Sequence, residues 1–122
     1  MSAEFIERLA ARARTDPRRV VFAEGTEPAV VAAARRIADL HAARPVLVAP
    51  DGAAVASAAA ELGVPTDDLD IVEVAGPALD EAVADYARIN PVFPERAARR
   101  LLTEPLAFAA TAVRSGRADA LV

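Results

Sequence analysis

The sequence predicts an α/β protein built in three layers, α/β/α, around a mostly parallel sheet, and three observations carry that prediction. Short apolar runs at Val20–Ala23, Pro45–Ala49 and Ile71–Val74 alternate with Ala-rich stretches of helical period. The runs are rich in β-branched residues and bounded by charge, Gly or Pro, as buried parallel strands are. A further apolar run, Ala118–Val122, reads as another strand. Strands separated by helical patterns imply βαβ units, and so a parallel sheet covered by helices.

The elements follow in order. Phe5, Ile6, Leu9 and Ala13 give the first helix one apolar face, expected to lie across the sheet as a lid on the core, and Thr15-Asp16-Pro17 ends it. The run at Val20 goes straight into Glu24-Gly25-Thr26-Glu27-Pro28, a strand, elbow and helix start. Thr26 is the expected N-cap, with Glu27 and Pro28 in the first turn, where Pro lacks only an amide hydrogen that has no partner there. Val30, Ala34, Ile37 and His41 recur at helical spacing, with Arg35, Arg36 and Asp39 on the opposite side.

The second strand passes through Pro50-Asp51-Gly52, with Asp51 as cap, into a helix from Ala53 to Leu62 stopped by Gly63. Thr66-Asp67-Asp68 is a polar turn before the third strand, whose Glu73 marks a sheet edge or a strand end. Gly76-Pro77 precedes a helix to about Ile89, and Asn90-Pro91-Val92-Phe93-Pro94 forms a stiff loop. Two more helices open at Pro94-Glu95 and at Pro105, the second stopped by Gly116 ahead of the last strand.

Composition narrows the function. The 122 residues suit one domain with a modest core, because the 54% hydrophobic content is dominated by Ala. A net charge of −4, with Arg scattered singly and in pairs, does not suit a tracker of nucleic-acid phosphates. The absence of Cys removes disulfides, thiolate metal sites and thiol nucleophiles. The first ten residues carry acids inside an amphipathic pattern, unlike a signal peptide, and no apolar run approaches the ~18 residues of a membrane span. A soluble, cytoplasmic protein with no membrane partner is expected.

Few residues stand out chemically. The Glu24-Gly25-Thr26-Glu27 elbow lies where open α/β sheets place ligands, although two carboxylates in one turn oppose a phosphate. It has neither the three glycines of a dinucleotide fingerprint nor the Gly-Lys-Ser/Thr of a P-loop. His41, the single histidine, reads as a structural group at a helix end, and no metal site is expected. Asp67, Asp68 and Asp70 lack the ligand spacing of a calcium loop and read as a solvated turn. Arg88 closes the helix before the stiff loop. A guanidinium there either complements the helix dipole or reaches toward an oxyanion or a CoA phosphate.

Several stretches resemble, in order, the phosphate acetyltransferase / phosphate butyryltransferase (phosphotransacetylase) family. They are Arg19–Pro28 followed by Val30–Ala34, then Asp85-Tyr86-Ala87-Arg88, Pro94–Ala97, Leu101–Ala109 and Ser115–Val122. The resemblance implies an isocitrate/isopropylmalate dehydrogenase-like α/β/α fold. It also implies reversible transfer of an acyl group between CoA and phosphate, acetyl-CoA plus phosphate giving CoA plus acetyl phosphate. No cofactor or metal is implied, CoA being a substrate, and the intact enzymes are homo-oligomers. In the family mechanism a carboxylate acts as base toward the CoA thiol, and the thiolate attacks acetyl phosphate held by arginines.

Arg88 matches the family's substrate-site arginine. The other phosphate arginine, the serine and the aspartate base match no residue of this sequence. Two positions depart from the pattern: Ile89–Phe93 replaces a basic, Gly-containing stretch, and Ala120 stands where Gly is expected. Residues 1–122 are therefore expected to be the amino-terminal part of a phosphate acyltransferase domain, incomplete at the carboxyl side and inactive alone. The alternative is a non-catalytic acyl-CoA-binding or regulatory module of the same fold, as in the similar carboxy-terminal domain of some malic enzymes.

Overall fold

The computed structural model describes residues 2–122. Ten elements follow one another: α1 (Ala3–Thr15), β1 (Arg18–Phe22), α2 (Pro28–Asp39), β2 (Ala43–Ala49), α3 (Gly52–Leu62), β3 (Asp70–Glu73), α4 (Gly76–Ile89), α5 (Glu95–Leu101), α6 (Pro105–Arg114) and β4 (Ala120–Leu121). The four strands form one all-parallel sheet in the order β3-β2-β1-β4.

Alternation along the strands divides the core into two halves. Val21, Val46 and Val48 face α4, α5 and α6, where Ala82, Val83, Leu102, Phe108 and Ala109 complete one cluster. Phe22, Leu47 and Ala49 face α2 and α3, meeting Val31, Ala34, Val55 and Ala59. Leu47 is wholly buried, and sequestering a side chain of that size stabilises the fold by about 1.5–3 kcal/mol. The sequence is thus a three-layer α/β/α protein, with Glu73 ending an edge strand.

Local chemistry sets the helix ends. Asp51 caps α3 by accepting from the Ala53 amide at 2.9 Å, and Gly63 ends that helix at a φ of +66°, a left-handed conformation that side chains disfavour. Glu73 reaches from β3 to accept from the Gly52 amide at 2.8 Å, tying the third strand to the start of α3.

Three expectations change and a fourth gains a partner. Helix α2 begins one residue later than expected: Glu27 is its N-cap, Thr26 lies outside, and the Glu27 side chain makes no capping hydrogen bond. His41 does not extend the α2 stripe, because the helix ends at Asp39 and His41 turns the chain at a φ of +53°. Asp68 lies in an exposed turn, as expected, and there its carboxylate also accepts from Arg35 Nη1 and Nη2 at 2.5 and 2.9 Å. Helix α1 is not a lid: none of its residues is buried, and Phe5, Ile6 and Leu9 are 40%, 52% and 49% exposed. Its amphipathic pattern defines a face that the described residues do not cover.

Candidate functional site at the two ends of the sheet

Strand order reverses at β1. The chain moves outward from β1 to β2 and β3, then returns to place β4 on the other side of β1. Beyond the carboxyl ends of β1 and β4 this reversal opens a crevice, the place where α/β sheets bind ligands. A cavity of about 520 Å³ lies there, lined by Phe22, the Glu24–Glu27 elbow, Glu104, Pro105, Leu106 and Val122.

Gly25 makes the elbow possible. Its amide donates to the Val48 carbonyl at 3.0 Å, and a Cβ on Gly25 would stand 2.6 Å from that oxygen. Only glycine lets the backbone approach β2 so closely. Two helices start at this cavity with the same three residues, Thr26-Glu27-Pro28 for α2 and Thr103-Glu104-Pro105 for α6. That repeated tripeptide was the available signal for the second helix start and for Glu104.

Charge decides what the crevice can hold. Each helix start contributes roughly half a positive charge, whereas Glu24, Glu27 and Glu104 line the cavity with three carboxylates and no cationic side chain joins them. The balance is negative. The position is that of a ligand site, but its electrostatics oppose a free phosphate.

The arginines gather at the other end. Helix α4 runs back along the sheet so that Asp85 meets Arg117, three residues before β4 begins at Ala120. Between α4 and α6 lies a second cavity of about 570 Å³, floored by Val21, Val46, Val48 and Val72 and edged by Arg19, Glu81, Asp85 and Arg117. The small side chains of Ala78, Ala82 and Ala112 leave this space unfilled.

Asp85 is buried, only 2% exposed. Its Oδ2 accepts from Arg117 Nε at 2.5 Å, its Oδ1 from Arg117 Nη2 at 3.3 Å, and Arg88 Nη2 also donates to Oδ1. Arg117 pairs in addition with Glu81. The Arg117 hydrogen bond holds the Asp85 carboxyl below the usual carboxylate range, against the opposing effect of burial, and Asp85 in turn raises the Arg117 guanidinium.

Arg88 lies in the last turn of α4, its side chain 69% exposed, and lines neither cavity. The sequence-derived candidates therefore separate: the acidic elbow occupies one end of the sheet and Arg88 the other. His41 lines neither cavity, and Asp70 stands 3.6 Å from Arg19 at the rim of the second. Asp68 is held to about 2 by its hydrogen bond to Arg35. Among the described residues no group of three or more His, Cys, Asp or Glu is placed to hold a metal ion. None of their helices is long and apolar enough to cross a membrane.

Asp85 and Arg117 went unread as a pair. The available signal was a charge three residues beyond Ala82, on the inward side of an otherwise apolar helix face.

Comparisons with known proteins agree with this architecture. The family described as phosphate acetyl/butaryl transferase matches residues 4–122. The EutD phosphotransacetylase of Staphylococcus aureus superposes with a TM-score of 0.88 at 21% identity, over 98% of this chain and 36% of its own. A phosphotransacetylase from Streptococcus pyogenes gives 0.89 at 21% identity, over 99% of this chain and 37% of its own. The chain thus spans little more than a third of either neighbour, and the likeness concerns the fold. No curated protein matches it. With the family pattern running through nearly all of the sequence, and the strands and helices arranged as in those neighbours, the chain belongs to the phosphate acetyl/butyryl transferase family.

Proposed function

We propose that this chain is the part of a phosphate acyltransferase that brings Arg88 to the phosphate-bearing substrate. The reaction is acyl-CoA plus phosphate giving CoA plus acyl phosphate, with acetyl as the acyl group. The supporting observation is the family match across residues 4–122, read with the placement of Arg88: exposed, at a helix end, its guanidinium held by a buried carboxylate. A guanidinium suits this task because it stays charged and its planar donors match phosphate oxygens. Attack of the CoA thiolate on the acyl carbon of acetyl phosphate forms the thioester and expels phosphate, and a cation on the phosphoryl oxygens stabilises that leaving group.

The thiol base and the second arginine implied by the resemblance are assigned to no residue here, so the polypeptide alone is expected to bind but not to turn over. Mixing it with acetyl phosphate and CoA and following thioester formation tests this. Turnover above buffer would overturn the assignment of a silent part. Calorimetry with acetyl phosphate should show binding that Arg88→Ala abolishes, and equal binding by the variant would remove Arg88 from the site.

A second reading is an acyl-CoA-binding module without catalysis; its support is that a core cluster forms on each face of the sheet. It predicts affinity for CoA and none for acetyl phosphate, so the same titrations separate the two.

A further inference from the structure

Among the described residues the buried polar or charged side chains are Asp85 and Thr111. Thr111 satisfies itself by donating to the Ala107 carbonyl one turn back at 2.9 Å. Asp85 instead draws two arginines from different elements, one from its own helix and one from the approach to β4. A buried carboxylate needs a partner, because removing it from water is costly unless opposite charge and hydrogen bonds replace the solvent. Arg117 meets most of that need, with two donors on the two oxygens and Ser115 adding a further hydrogen bond, and in doing so it fastens α4 to the approach to the last strand.

Arg88 is therefore surplus to the fold. It lies mostly in solvent, where an ion pair adds little stability. What the contact changes is Arg88 itself. A long side chain that would otherwise sample many rotamers is tethered by Nη2, while Nε and Nη1 have no hydrogen-bond partner among the described residues. A tethered guanidinium with free donors gives up less entropy when it takes up an anion.

We propose that Asp85 is the positioning residue of Arg88, fixing the guanidinium through Nη2 so that its free nitrogens meet a phosphoryl oxyanion, with Arg117 bracing the carboxylate from the opposite side. Asp85 touches no substrate; it acts through Arg88. This rests on the reading of Arg88 as the arginine of the phosphate-bearing substrate, and adds a cause for that arginine's geometry.

The test follows the Arg88 Nε–Hε resonance of the 122-residue chain by NMR, for its order and for its shift on titration with inorganic phosphate and with acetyl phosphate. In the wild type the resonance should be ordered and should shift to saturation. Asp85→Asn should loosen Arg88 and weaken phosphate binding by roughly three- to tenfold, the affinity equivalent of ordering one long side chain. A merely structural Asp85 would lower the melting temperature of that variant and leave both the order and the affinity unchanged, which would overturn the proposal while the Arg88 reading stands. No shift of the wild-type resonance with either anion would overturn that reading and the proposal with it. If Asp85→Asn fails to fold, Asp85→Glu takes its place, keeping the charge for Arg117 but displacing it by a methylene. Wild-type affinity and order in that variant would equally refute the positioning role.

Discussion

At the carboxyl end of the sheet, two helix starts and three glutamates surround a cavity; at the amino end, Arg19, Arg88 and Arg117 gather near one buried aspartate. Topology alone favours the first end, since the strand order reverses there. Charge makes the second the less negative of the two, since Arg19, Arg88 and Arg117 there offset Asp70, Glu81 and Asp85. The difference shows that a parallel sheet determines where a crevice opens, whereas side chains determine which ligand either end can accept. In this chain the two criteria point to opposite ends.

The contrast breaks most sharply at the elbow. Gly25→Val would drive a branched side chain into the Val48 carbonyl, which a Cβ alone would approach to 2.6 Å. Overpacking of this kind costs about 3 kcal/mol, and denaturant unfolding should show the loss. Because the 520 Å³ cavity is built on that elbow, its shape should change as well, while the Asp85 cluster at the far end stays intact. A stability equal to wild type would mean that β2 yields to the elbow.

A somewhat smaller loss is expected at the other end. Asp85→Ala strips Arg117 of its two-point partner, but Arg117 is half exposed and retains Glu81, so the freed guanidinium can find water. The expected cost is about 1–3 kcal/mol, the range for an unsatisfied polar group, rather than that of a fully buried orphan charge. Its pH dependence has a definite sign. The folded carboxyl lies below its unfolded value, so its contribution is complete above the usual carboxylate range and is lost as pH falls through the folded value. The stability gap between wild type and Asp85→Ala should therefore be constant near neutrality and close on acidification below about pH 4. A gap that persists into stronger acid would show that the loss comes from packing, not charge.

The two ends also differ in how far the sequence revealed them. Strands and helices were readable because apolar runs such as Val46-Leu47-Val48 and caps such as Asp51 are local signals. The elbow was readable too, for Gly25 stands between a strand and a Pro-initiated helix. Asp85 was not: its partner Arg117 lies 32 residues away, and one chain pattern cannot report a contact between such distant positions. Arg35 and Asp68 were hidden for the same reason, at a separation of 33. The α1 face shows the converse limit, because Phe5, Ile6 and Leu9 declare an apolar side without naming what it meets.

The smallest effect tests whether carboxylates are what keep phosphate from the topological crevice. Glu27 and Glu104 occupy N-cap positions but make no capping hydrogen bond. Aspartate, one methylene shorter, reaches the first-turn amides and keeps the charge, so Glu27→Asp and Glu104→Asp should each stabilise by about 0.5–1 kcal/mol. Serine at the same positions also caps, but gives up the favourable charge–dipole interaction of about 0.3–1 kcal/mol, so its net effect on stability should be near zero. The double serine variant leaves Glu24 as the one carboxylate lining the cavity, beside two capped helix starts. Its melting temperature should rise on adding phosphate while that of the double aspartate variant does not. Equal responses would mean that shape rather than charge excludes phosphate from the carboxyl end, and the electrostatic contrast between the two ends would lose its force.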